Sequence, residues 1–141
     1  MTISTTTIKN SYSGNGSTSV FNYTFKITDD DDIQVIIRSS SGTETIKTKT
    51  THYTVSGVGN SSGSITFTSG NIPANGETVV LRRVTPQTQG MDLIENDPLP
   101  AETLENAFDK ITSIAQELQE QVDRSIKLSP TNTIGSTIFT Q

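Results

Sequence analysis

The chain carries few groups able to do chemistry. His52 is its single histidine and there is no cysteine. Neither a transition-metal site nor a histidine-based nucleophile relay can be assembled from such a set. A structural place at the end of a strand is the expected role of His52. Asp29 to Asp32 are hard-cation ligands by type, but they lack the alternating ligands and central glycine of a calcium loop. A solvated turn is expected there. Gly14-Asn15-Gly16 precedes a strand-like stretch rather than a helix, so it reads as a turn and not a phosphate cradle. Arg82 and Arg83 are the adjacent basic pair. On a strand they point to opposite faces, so one can turn inward, where it needs a carboxylate, and the other is free for an external partner. Nothing fixes two carboxylates at either separation that glycoside hydrolysis requires. The expectation is a non-enzyme, with no catalytic residue, no metal and no cofactor.

The elements that would position these residues fall into two kinds. Residues 1–85 read as a small antiparallel β-sandwich. Phe21, Tyr23, Phe25 and Ile27 alternate with Asn22, Thr24 and Lys26, the period of a half-buried strand. Ile33, Val35 and Ile37 share a face in the next strand, and Ile36 makes its far side partly apolar. A Thr- and Lys-bearing stretch at residues 43–50 has the composition of a sheet edge. Tyr53 and Val55, then Ile65 and Phe67, then the apolar run at residues 77–84 supply further strands. Gly- and Ser-rich loops separate them at the spacing of a sandwich or curled sheet. Residues 86–100 have neither period and are expected to be an extended linker.

Residues 101–129 then read as one long helix, free of internal Pro and Gly, with Pro100 suited to its first turn and Pro130 ending it. Leu104, Ile111 and Leu118 occupy one heptad core position, and Phe108, Ala115 and Val122 the other. Ala107 and Ile114 widen the stripe on one side, which suits three helices better than two. Glu105, Asp109, Thr112, Gln116, Gln119 and Asp123 form the polar side. The pattern alone leaves two placements open: the stripe packs on the chain's own sheet, or against other copies of itself. Residues 130–141 are expected to be a polar tail or the start of a shaft.

Composition narrows the field. Only 30% of residues are hydrophobic, and Ser and Thr make up roughly three residues in ten, well above ordinary usage. Such a chain buries a thin core, so help from neighbouring subunits is expected. A net charge of −5 argues against nucleic acid and anionic membrane surfaces as partners. The N-terminal stretch lacks the apolar core of a signal peptide, and the absence of cysteine fits synthesis in a reducing cytoplasm.

The order of these pieces resembles the N-terminal domain of podovirus tail fibres and tailspikes, of the T7 tail-fibre type. The resemblance is carried by Tyr12-Ser13-Gly14-Asn15-Gly16 before Phe21-Asn22-Tyr23-Thr24-Phe25, by Ile33-Gln34-Val35, and by His52-Tyr53-Thr54-Val55. It continues through Leu81-Arg82-Arg83-Val84-Thr85, and through residues 97–105 with Phe108-Asp109-Lys110, Gln116, Arg124 and Pro130 beyond. It implies a virion tail protein, made in the host cytoplasm, that anchors a host-recognition appendage to tail adaptor and nozzle proteins. It further implies a homotrimer whose helices form a parallel coiled coil through Leu104, Phe108, Ile111, Ala115, Leu118 and Val122. Arg82, Arg83, Tyr12 and Tyr53 are the expected tail-docking residues, through loops or by strand addition at an edge. The alternative is a carbohydrate-binding β-sandwich of an adhesion module. It needs outward-facing aromatic rings, for which Tyr12 and Tyr53 are the candidates.

Overall fold

Alternating burial decides the strands. In the computed structural model, which describes residues 6–88, 95, 98, 100–127 and 129–131, seven strands precede one helix among the described residues. They are β1 (Lys9–Ser13), β2 (Val20–Tyr23), β3 (Ile33–Arg38), β4 (Glu44–Ile46), β5 (Tyr53–Ser56), β6 (Gly63–Phe67) and β7 (Thr78–Arg83). One sheet has the order β1-β7-β3-β4 and the other β2-β6-β5. Every pairing within them is antiparallel. The sheets share one core, Phe21, Tyr23, Tyr53, Ile65 and Phe67 from one side meeting Val35, Ile37, Val79 and Leu81 from the other. Phe25 and Ile27 continue the inward face of β2 beyond its ladder and are fully buried.

Close fit governs one corner of this core. The buried Tyr23 hydroxyl donates to the Ser56 carbonyl at 2.6 Å. A Cβ on Gly63 would lie 2.2 Å from both of those oxygens, so β6 passes there only without a side chain.

Side chains close the gap between β1 and β2. The Asn10 carboxamide accepts from the Thr24 amide at 2.9 Å and donates to the Thr24 hydroxyl at 3.0 Å, and the Tyr12 hydroxyl donates to the Asn22 carbonyl at 2.5 Å. Between β4 and β5 an isolated bridge joins Lys49 to Tyr53. Asn10 and Tyr12 thus tie the two sheets together where β1 and β2 meet.

The helix, α1, spans Ala101–Arg124, shorter than the 101–129 expected. Ser125 ends it, not Pro130. Its backbone turns extended, and its amide and hydroxyl both close on the Val122 carbonyl, at 3.1 and 2.6 Å. Pro100 is the cap residue rather than part of the first turn; its carbonyl accepts from the Thr103 amide at 3.1 Å. Most of the linker at 86–100 and all of the tail beyond Thr131 lie outside the described residues.

Candidate functional site

The helix meets the sandwich through charge. Asp109, Ser113 and Glu117 recur every fourth residue, which places them on one face, and these are the helical residues buried against the β-domain. The Lys26 ammonium lies 3.1 Å from the Asp109 carboxylate, both nearly fully buried. The Arg83 guanidinium, at the inward end of β7, donates through Nε to Glu117 at 3.1 Å and through Nη2 to the Gln116 side chain at 2.6 Å. Its remaining contacts are the carbonyls of Lys26 and Ser113, at 3.4 Å each. Glu117 also accepts from the Thr85 amide at 3.0 Å and from the Thr85 hydroxyl at 2.7 Å. No buried side-chain nitrogen or oxygen is left without a partner among the described residues, the condition under which buried charge is tolerated.

Further along the helix, Lys9 of β1 lies 3.3 Å from Glu120. The hydrogen bond from Arg124, with Lys9 second, holds the Glu120 carboxyl below the usual range. Gln119 and then Lys127 do the same for Asp123, and pairing with Glu120 raises Arg124. The Lys110 ammonium donates to the Thr88 carbonyl, tying the segment after β7 to the first half of α1.

Because one face of α1 is occupied in this way, the opposite face is bare. Asp109, Ser113 and Glu117 lie about half a turn around the helix from the heptad stripe. Leu104, Phe108, Ile111, Leu118 and Val122 are 37–64% exposed, and Ala115 is exposed with them. Of the two placements that the pattern left open, the chain's own sheet is therefore not what covers this stripe. It is a continuous apolar surface along most of α1.

The four residues expected to dock to the tail separate. Arg82 is half-buried and lies on the outer face of its sheet. Arg83 is buried and held by Glu117 and its neighbours, so it is not on a docking surface. Tyr53 faces inward, its ring 6.3 Å from that of Phe67, and burial raises its hydroxyl pKa. Tyr12 is half-buried, packed 5.6 Å from the Phe21 ring with its hydroxyl on the Asn22 carbonyl. Both tyrosines fill the sandwich because strand alternation turns them toward an already aromatic core.

His52 sits in the turn before β5, where its Nδ1 accepts from the Thr48 amide at 3.1 Å. Asp32 is buried and caps its own loop, accepting from the Thr28 hydroxyl at 2.8 Å. Asp29, Asp30 and Asp31 are exposed, with ligand oxygens within 4.8 Å of one another. Lys49 contacts Asp30 at 2.6 Å and also Asp31, so an ammonium already offsets their charge. That pairing lowers the Asp30 pKa and raises that of Lys49. Among the described residues, no helix is long and apolar enough to cross a membrane.

Comparison with known proteins gives the class of this two-sheet sandwich with its charge-docked helix. The family match and a tail-spike relative make it a component of a phage virion tail. The chain belongs to the family described as "Phage T7 tail fibre protein, N-terminal domain", which matches residues 1–134. It is 37% identical over 134 residues to the tail spike protein of Salmonella phage epsilon15, an alignment covering 90% of this chain and 12% of that protein. The chain thus corresponds to a small part of that relative's length.

Proposed function

We propose that this chain is the anchor of a tail fibre or tailspike, in which three copies join through the outward face of α1 and the β-domains attach to tail adaptor and nozzle proteins. One observation carries the reading: α1 spends its polar face on its own β-domain and leaves a heptad-spaced apolar face uncovered. In proteins a helix draws most of its stability from packing an amphipathic face rather than from propensity. Three copies around an axis would bury Leu104, Phe108, Ile111, Ala115, Leu118 and Val122 against their own counterparts. The half-buried Ala107 and Ile114 flank that seam and widen it toward three strands. Each β-domain, fixed to the back of its own helix, would then sit beside the bundle as part of a collar.

In this role the chain acts by mechanical coupling, without catalysis, metal or cofactor. Several modest contacts to the tail would add through avidity. The carbohydrate-binding alternative has less support, since Tyr53 is in the core and the Tyr12 ring packs on Phe21. The test is the solution mass of the purified chain by light scattering, alone and as Ile111→Asp. A trimer that the substitution reduces to a monomer supports the proposal; a monomeric parent chain overturns it.

A further inference from the structure

The outer faces of the two sheets differ in kind. On the β2-β6-β5 sheet the outward rows are Val20, Thr66 and Thr54, then Asn22, Ser64 and Ser56. Apart from Val20 these are small polar groups, as expected of a face left to water. On the β1-β7-β3-β4 sheet the central outward row is Ser11, Val80, Ile36 and Ile46. Ile46 is 62% exposed, and Ile36 and Val80 are half-buried. Arg82 lies beside this row opposite Gln34 and Lys9, and Arg38 lies on its other side opposite Glu44 and Thr78.

Charge separates the faces further. Lys9, Lys26, Lys49, Arg83, Arg124 and Lys127 each hold a carboxylate of this chain. Among the described residues, Arg82 and Arg38, like Lys47 and Lys110, have no carboxylate in ion-pair contact, although the chain is acidic overall. Glu44 stands opposite Arg38 across the β3-β4 ladder but not in ion-pair contact with it; other carboxylates are in use. Asp109, Glu117, Glu120 and Asp123 hold the helix, Asp30 and Asp31 hold Lys49, and Glu77 accepts from the Ala74 amide. On the Arg38 side the border is shared with Glu44, whereas Arg82 is a cation beside an apolar row and calls for an opposite charge on the surface it meets.

We infer that the outer face of the β1-β7-β3-β4 sheet is where this chain meets a different protein, one presenting an apolar ridge with a carboxylate at the edge that meets Arg82. Ile36, Val80 and Ile46 form the apolar centre and Arg82 the charged anchor, with Arg38 at the far border. The inference rests on the anchoring function proposed above and assigns it to one face.

Hydroxyl-radical footprinting of virions assembled with this chain, against the free purified chain, tests it. Protection of Ile46, Ile36 and Val80 in the virion, with the comparably exposed Val20 unchanged, is the expected result. In the same virions, Arg82→Glu lowers occupancy of the chain by about tenfold, the loss of one central charged contact, while its thermal melt stays that of the parent. Protection of Val20 with Ile46 left reactive overturns the face assignment and leaves the anchoring function standing. If neither is protected, the sandwich is not the attachment point and both fall. Protection already present in the free chain overturns the inference by assigning the row to this chain's own residues. If that protection also disappears in the Ile111→Asp variant, the cover is a second copy.

Discussion

Arg83 of β7 and Glu117 of α1 are 34 positions apart in sequence and meet at 3.1 Å in the buried seam between sandwich and helix. That pair, with Lys26 and Asp109, sets which way the helix is turned. Hydrophobic packing tolerates rotation and sliding, whereas a guanidinium with four defined acceptors does not. By fixing the back of α1, the pair fixes the direction of the heptad stripe.

Breaking the pair on one side strands a buried charge. Glu117→Ala is expected to destabilise the fold by about 3–5 kcal/mol, the range for removing one partner of a buried ion pair. The double change Arg83→Met with Glu117→Leu should recover most of that loss, because no unpaired charge is then left in the seam. Urea unfolding of both variants measures the difference. Equal losses in the single and double variants would mean that the pair is not coupled.

The corner at Gly63 should be intolerant of any side chain. Gly63→Ala sets a methyl group against the Tyr23 hydroxyl and the Ser56 carbonyl, so one of them must shift. The expected loss is about 1–3 kcal/mol, that of an overpacked core, while Tyr23→Phe, which removes only the hydrogen bond, costs about 1 kcal/mol. Thermal melts that order the two variants the other way would contradict the assigned contact.

Acid should loosen the helix from its C-terminal half. The Glu120 carboxyl titrates below its unfolded value because Arg124 and Lys9 favour the charged form. Its contribution is therefore fully present above the unfolded pKa and is lost as pH falls through the lower folded value. Asp123 follows the same sign through Gln119 and Lys127. Amide exchange around residues 118–124 should rise in that acid window before exchange in β3 and β7 does. Glu120→Gln should flatten the dependence.

The sandwich was legible because its signal is local. Phe21, Tyr23, Phe25 and Ile27 announce a strand by alternation, and the heptad spacing from Leu104 to Val122 announces a helix with one apolar face. β1 carried no comparable signal; Lys9–Ser13 is a polar stretch with one aromatic, ordered by pairing with β7 rather than by its own pattern. The seam was hidden for a different reason. Asp109, Ser113 and Glu117 look like the solvent side of an amphipathic helix, and only their partners Lys26, Arg83 and Thr85, distant in sequence, make them a buried face. One clue was present: an arginine pointing inward from an apolar strand must find a carboxylate, and Arg83 does. Tyr53 misled because an isolated ring near a turn gives no sign of which sheet face it joins.

The orientation of α1 makes one variant especially informative. Ile111 is 64% exposed and touches the seam nowhere, so Ile111→Asp should leave the β-domain melt unchanged at low concentration while abolishing self-association. The direct measurement is light scattering of the parent chain over a concentration series. A trimer joined through α1 gives three times the chain mass, stable on dilution into the micromolar range and reduced to a single chain by Ile111→Asp. A parent chain of single-chain mass at every concentration would contradict it, and would mean that the bare face of α1 is covered by something other than its own copies.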